Sequence, residues 1–254
     1  MKRLIFFISL LAFSLNCYCQ GTAGNSAAFE TRDIVDMPTA GIIPKGDYAV
    51  DLVYFDNGGI AFTFNYARWR NFNIGTALSA QNFVGSGEIT LQNIPAILLK
   101  YRFINETIEV PAFAVGLSTR GSGMYSNSSN RYAIASPGIF LAISKNFRWD
   151  LGSIATHAGL NYSFENSTDE FFINYFAGIE QSIGNRVAVN AEYNAGMFEW
   201  KAGRTKGRGF LNTSLRYSLG YGFTLQFQFR DMLNNFKNSD KITRYFGIEW
   251  VGKH

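Results

Sequence analysis

The chain has 254 residues, 23 basic and 19 acidic, with 16% aromatic and only 17% charged side chains. A nucleic-acid binder concentrates basic charge on one face, and a soluble β-sandwich carries more surface charge than this; both classes are disfavoured. No apolar run reaches the roughly eighteen residues of a membrane-spanning helix, which argues against a helical inner-membrane transporter.

Met1-Lys2-Arg3, the apolar run 4–15 and the small residues of Cys17-Tyr18-Cys19 read as a secretory signal peptide over 1–19, cleaved before Gln20. Lipid attachment at Cys17 or Cys19 is the weaker alternative, because Asn16 sits where a lipobox wants a small residue. Removal of the peptide leaves 21 basic against 19 acidic residues and no cysteine, so neither disulfides nor thiol catalysis are expected. Residues 20–46 read as an N-terminal periplasmic lead-in. Positions 20–28 are small and polar, and 29–46 are too punctuated by Pro38, Gly41, Pro44 and Gly46 for a strand. This stretch is expected in the periplasm or tucked into a barrel mouth.

From 47 to 254 the dominant signal has period two. In 222–230, Phe223, Leu225, Phe227 and Phe229 fall on one face, and Thr224, Gln226, Gln228 and Arg230 on the other. Similar segments occupy 47–55, 60–69, 72–82, 94–103, 108–119, 137–147, 151–164, 171–183, 186–198, 209–219 and 242–251. Strands of this length, apolar outward and polar inward, predict an all-β fold: a transmembrane antiparallel up-and-down β-barrel of about 12 strands. The connections alternate in length as such a barrel requires. Those at 70–71, 104–107, 148–150, 184–185 and 220–221 are short, and those at 83–89, 121–132, 165–170, 200–208 and 234–241 are longer. Only Asn57-Gly58-Gly59 breaks the rule. Tyr54, Trp69, Tyr101, Trp149, Tyr162, Trp200, Tyr221 and Trp250 fall near predicted strand ends, where interfacial rings belong.

If the apolar face meets lipid, the other face lines a lumen. The candidate lumen residues are Asp51, Lys100, Arg102, His157, Glu180, Glu192, Arg216, Gln226, Gln228, Arg230 and Glu249. Both charge signs occur, so one reading is a filled lumen held by ion pairs. The other is a polar pathway whose lining sets permeability. Gly75, Ala77, Ala112, Ala114, Gly116, Gly159 and Gly178 also point inward and leave room. Lys201, Arg204, Lys206 and Arg208 form a basic outer-loop cluster suited to lipopolysaccharide phosphates or an acidic polysaccharide, or simply solvated. The 121–132 loop is uncharged until Arg131 and reads as a mobile outer loop.

Enzyme signals are sparse. His157 is the one histidine within the strands, on the face of Asn161, and shares its strand with Ser153 and Ser163. A Ser-His nucleophile needs hydrogen-bond reach and an orienting third group, and an inward histidine reads as structural. No zinc spacing and no phosphate-cradling glycine loop is present, so no catalytic residue, metal or cofactor is expected.

The string Asp36-Met37-Pro38-Thr39-Ala40-Gly41-Ile42-Ile43-Pro44-Lys45-Gly46-Asp47-Tyr48 resembles the opening of YjbH-type outer-membrane barrels, as does Arg230-Asp231-Met232-Leu233-Asn234 after a Phe-rich strand. The resemblance covers about a tenth of the chain, which is shorter than multi-domain members of that family. It implies an accessory barrel near a surface-polysaccharide system, with no catalytic residues to carry over. The expected function is non-enzymatic: a small pore or accessory barrel for surface material, or alternatively a structural or interaction barrel with a filled lumen. Expected partners are outer-membrane lipid and lipopolysaccharide, the barrel-assembly machinery, and polysaccharide or small solutes, with no nucleic acid. The expected location is the Gram-negative outer membrane.

Overall fold

The computed structural model describes residues 31–149, 152–165, 170–184, 186–237 and 242–253. The signal-peptide reading over 1–19 and the polar stretch 20–28 lie outside the described residues.

Twelve strands make a closed antiparallel ring. They are β1 (Tyr48–Phe55), β2 (Gly59–Trp69), β3 (Phe72–Gln81), β5 (Ala96–Ile104), β6 (Ala112–Ser118), β9 (Gly138–Trp149), β10 (Gly152–Tyr162), β11 (Asn174–Ile183), β12 (Val187–Asn194), β13 (Phe210–Gly220), β14 (Phe223–Arg230) and β15 (Thr243–Gly252). Each pairs with its neighbour in the ring, and β1 pairs with both β2 and β15, from Tyr48↔Gly252 to Tyr54↔Phe246, which closes it. Closure removes every edge, so all backbone polar groups in the wall find partners without water. Three short strands sit in the connections: β4 (Thr90–Leu91) pairs antiparallel with the end of β3, and β7 (Ser122–Ser126) and β8 (Arg131–Ile134) form a separate hairpin.

The alternation of side chains matches the sequence pattern. On β14, Phe223, Phe227 and Phe229 are exposed, while Thr224, Gln228 and Arg230 are buried. Around the ring Phe62, Ile74, Ile97, Val115, Ile139, Leu160, Ile179, Val189 and Leu215 are likewise exposed and apolar. Such a continuous apolar exterior on a closed barrel is built for lipid. No described helix is long and apolar enough to cross a membrane.

Both chain ends of the barrel, and its short turns, lie at one end. There Asn71 takes a left-handed φ of 61° in the two-residue link from β2 to β3. In the β13–β14 turn Tyr221 (φ 52°) is followed by Gly222 (φ 83°), where a Cβ would meet the Val251 carbonyl oxygen at 2.1 Å, so only glycine fits. Trp69 packs on Phe72 (ring centroids 5.7 Å apart), and Trp250 on Phe223 (5.8 Å) and Tyr48 (5.3 Å), at this same end. They form the aromatic girdle expected of an interface.

Four expectations change. The segment 186–198 stops being a strand at Asn194: Gly196 turns left-handed (φ 58°), and helix α1 (Met197–Lys201) follows. Asn194 and Asn174 side-chain oxygens accept the Gly196 and Met197 amides at 3.0 and 3.1 Å, which gives these amides partners outside the β11–β12 ladder. Met197 therefore belongs to a helix and not to a lipid-facing strand, and Trp200 follows it on that helix. The fifth barrel strand begins only at Ala112, because Pro111 has no amide to donate and the Thr107 hydroxyl accepts the Val110 amide in a local turn. The eighth begins at Asn174, later than 171. The 121–132 loop is an ordered hairpin, closed by a Tyr125–Tyr132 edge contact at 4.9 Å.

Phe227 stands outward near mid-strand and Tyr221 at the short-turn rim. Phe227→Arg is expected to lower barrel stability by about 2–4 kcal/mol, and Tyr221→Arg by about 0–1 kcal/mol. Denaturant titration of folding into lipid vesicles checks both; equal costs would contradict this depth assignment.

Candidate functional site

The lumen is filled by the chain's own residues 31–46. These sixteen residues fold back as a tight hairpin. The Ile34 amide donates to the Met37 carbonyl at 2.8 Å and the Thr39 amide to the Arg32 carbonyl at 3.0 Å, with an antiparallel bridge between Asp33 and Pro38. The Thr39 hydroxyl donates to the Thr31 carbonyl, and the Gly41 amide to Thr39 Oγ1 at 2.9 Å. A Cβ on Gly41 would meet the Thr31 carbonyl oxygen at 2.3 Å, so this crossing needs glycine. The base of the hairpin is at the short-turn end, where Ile43 exchanges two backbone bonds with the Asn73 side chain (2.8 and 3.2 Å). Its tip reaches the far end, where Asp36 pairs with Arg230, the last residue of β14, at 2.6 Å. Residues 31–46 thus rise well past the mouth, along most of the lumen.

Apolar contacts seat it. Ile34 and Met37 pack on Phe140, Ala142 and Phe176; Ala40 packs on Ala112 and Ala114; Ile43 packs on Ala49, Ala67 and Val251. The small inward residues noted in the sequence make this space. A Cβ on Gly178 would meet Ile34 Cδ1 at 2.8 Å, and those on Gly116 and Gly159 would strike the inward rings of Phe140 and Phe176.

The polar contacts are denser. Glu192, fully buried on β12, accepts the amides of Val35, Asp36 and Met37 on one oxygen at 2.9, 2.8 and 2.8 Å, and the Asn212 amide group on the other at 2.8 Å. Arg32 bridges Asp51 (3.0 Å) and Glu249 (2.8 Å). Arg216 reaches Glu249 and, at 2.9 Å, the Thr31 hydroxyl, which donates to Glu180. Gln226 donates to Glu249 at 2.9 Å and Gln228 to Gln226 at 3.0 Å. Lys100 donates to the carbonyls of Arg32 and Gly41 at 2.6 and 3.2 Å. Arg230, besides Asp36, holds Ser122 at 2.6 Å and lies 3.9 Å over the Tyr245 ring.

Of the eleven sequence-predicted lumen residues, the structure therefore gathers Asp51, Lys100, Glu180, Glu192, Arg216, Gln226, Gln228, Arg230 and Glu249 around the hairpin. Arg102 stands apart at the short-turn end, bonded to Asn105 at 3.0 Å. His157 is buried with Nδ1 2.8 Å from Ser144 Oγ, and Nε2 has no protein partner. The hydroxyl beside His157 is that of Ser144, neither Ser153 nor Ser163, and Ser144 also accepts the Ala40 amide at 2.9 Å. Sequence reasoning passed over Thr31, Arg32, Asp33, Asp36 and Arg120, although Arg120 pairs with Asp33 at 2.9 Å. The signal for them was the apolar set Ile34, Val35, Met37, Ile42 and Ile43, too greasy for a solvated lead-in.

Above the tip the long connections wall a vestibule of about 1560 Å³. The β7–β8 hairpin covers one side. Tyr132 donates its hydroxyl to Gln92 at 2.9 Å, and burial pushes that phenol up to about 12, so it stays protonated. Glu165 accepts the Tyr132 and Ser136 amides (2.8 and 3.2 Å), and Glu199 of α1 accepts the Ala135 amide (2.7 Å) and pairs with Arg131 (3.1 Å). Burial raises both carboxyls against the pull of these donors. In the basic cluster, Lys201 pairs with the exposed Glu170 at 3.3 Å, and Arg208 and Lys201 flank the Trp200 ring at 4.3 and 5.6 Å. Arg204 reaches the vestibule wall.

No protein-family model matches the chain, and no curated protein matches it in sequence. Among solved structures it is similar to the outer-membrane protein Omp33 of Acinetobacter baumannii (TM-score 0.45, 9% identity, 82% of this chain and 97% of that one). It is also similar to the NanC porin (0.40, 8%, 82% and 99%). A mutant Rh. blastica porin aligns at 0.32 and 10% identity over 78% of this chain and 56% of that porin, so this chain spans little more than half its length. At this overlap the barrel and its strand number stand on the chain's own hydrogen-bond ladders.

Replacing Glu192 by alanine strips the shared acceptor from three amides, two of them buried. The expected cost is about 3 kcal/mol or more, read as a roughly hundredfold faster hydrogen exchange at Val35, Asp36 and Met37. Unchanged protection of those amides would show that the clasp does not hold the tip.

Proposed function

We propose that this chain is an outer-membrane barrel of a Gram-negative envelope, closed at rest by its own residues 31–46, which works as an interaction barrel. Its outward-facing side, vestibule and outer loops included, is offered to glycans or partner proteins, and the lumen charges hold residues 31–46 in place. One observation carries this reading: the hairpin occupies the lumen and is tied to the wall by buried ion pairs and by the Glu192 clasp. Breaking one buried pair costs about 3–5 kcal/mol, so an open state would have to give up several at once. A pathway for small solutes therefore requires the hairpin to leave. The resemblance to YjbH-type barrels supports a place beside a surface-polysaccharide system, and the lipid-facing exterior supports lipopolysaccharide and the assembly machinery as its surroundings. No catalytic role is proposed, since the Ser144–His157 pair is buried beneath Ala40.

Planar-bilayer conductance tests the closure. The refolded full barrel is expected to be silent, and deletion of residues 31–43 is expected to give discrete, salt-dependent steps, with heat-modifiable gel migration confirming that both are folded. Steps from the intact protein would overturn the closed reading.

A further inference from the structure

Between the hairpin and the wall of β1, β3, β13, β14 and β15 lies a polar cavity of about 80 Å³. One water occupies roughly 10–15 Å³ on this measure. The cavity therefore holds several waters or one short hydroxyl-bearing edge of a solute. Four buried polar atoms on its lining residues have no protein partner: Nη1 of Arg32, Nε of Arg216, Nε of Arg230 and Oε1 of Gln228. Arg216, Arg230 and Gln228 are only 7%, 7% and 5% exposed. Of eleven such orphaned atoms among the described residues, three donors and one acceptor belong to the lining of this single space.

Charge decides what suits it. Four arginines line the space: Arg32, Arg120, Arg216 and Arg230. They are matched by Asp33, Asp36 and Asp51 on the lining and by Glu249, which pairs with both Arg32 and Arg216. An added anion would compete with carboxylates already seated on those guanidinium groups, and an added cation gains no free partner among them. A hydroxyl both accepts and donates, and matches the mixed set without disturbing the pairs. The cavity adjoins the vestibule, since Phe55, Ser122, Gly123, Tyr132, Arg230 and Tyr245 border both. Three of those six are aromatic and buried, with Phe55 and Tyr245 rings 5.7 Å apart, so the boundary between the two spaces is largely apolar.

We infer that this cavity is a binding site for a neutral saccharide, which enters from the vestibule side and whose hydroxyl edge meets Arg216, Gln228 and Arg230. The inference rests on the proposed outward-facing interaction role and names its ligand class.

Isothermal titration of the refolded full barrel, in a detergent without sugar headgroups, tests it with D-glucose, N-acetyl-D-glucosamine and D-glucuronate. Neutral sugars are expected to bind saturably with roughly millimolar Kd, as suits a ligand of that size. D-Glucuronate should bind several-fold more weakly. Gln228→Leu, which removes the acceptor at nearly constant volume, and Ala77→Leu, which extends carbons into the cavity, should each weaken neutral-sugar binding about tenfold or more. Absence of saturable binding by neutral sugars, D-glucuronate binding as well or better, or wild-type affinity in both variants would overturn the inference. The wild-type comparison of neutral with acidic sugar decides it even where a variant fails to fold. A barrel silent in the bilayer that binds no sugar sinks this inference alone, whereas a conducting barrel that binds neutral sugar sinks closure alone.

Discussion

A carboxylate taken out of water must be repaid in hydrogen bonds, and Glu192 is repaid by the backbone of the hairpin tip. Three successive amides converge on one of its oxygens while Asn212 serves the other. In a low-dielectric interior such charge-assisted bonds are strong, and the same carboxylate left alone would be costly. The clasp orients the tip. With the amides of 35–37 committed to β12, Ile34 and Met37 turn toward Phe140 and Phe176, and Asp36 is delivered to Arg230 at the vestibule floor.

The remaining charges show the same mutual dependence. Asp51 and Glu249 stand on neighbouring strands at Asp51↔Glu249 in the β1–β15 register, two like charges side by side. Such a pair is destabilising in an empty lumen. Arg32 from the hairpin pairs with both, and Arg216 takes the other oxygen of Glu249. The wall is therefore not self-sufficient: it carries charges whose partners come from residues 31–46. The alanines and glycines of β6, β10 and β11 are complementary in shape as the carboxylates are in charge, since their missing side chains are the volume that Ala40, Ile34 and the inward phenylalanines fill.

That division explains which features were legible in the amino-acid sequence. Strand order, number and facing followed from local chemistry, because a barrel wall meets lipid on one side and polar contacts on the other, and this imposes period two on every strand. Phe227 outward and Gln228 inward needed nothing but that alternation. Asn194 to Lys201 broke the pattern because two asparagine side chains, one from the adjacent strand β11, accept the backbone amides of Gly196 and Met197 there, and Asn174 is distant in sequence. The 121–132 segment looked featureless because its order comes from Tyr125 packing on Tyr132 and from Glu165 and Gln92 reaching in from other connections.

The hairpin is the clearest case of what stayed hidden. Its prolines and glycines correctly excluded a strand, yet its anchors on β1, β5, β11, β12, β13, β14 and β15 lie scattered over some two hundred residues of chain. By itself the sequence determined an antiparallel barrel of twelve strands with an apolar exterior and a mixed-charge interior, since those properties repeat strand by strand and need only nearest-neighbour chemistry. Only the tertiary structure decided that residues 31–46 occupy that interior. Whether opposite charges neutralise one another, or face an open passage, depends on which of them meet across the lumen, and that is set by ring closure and register rather than by any local pattern.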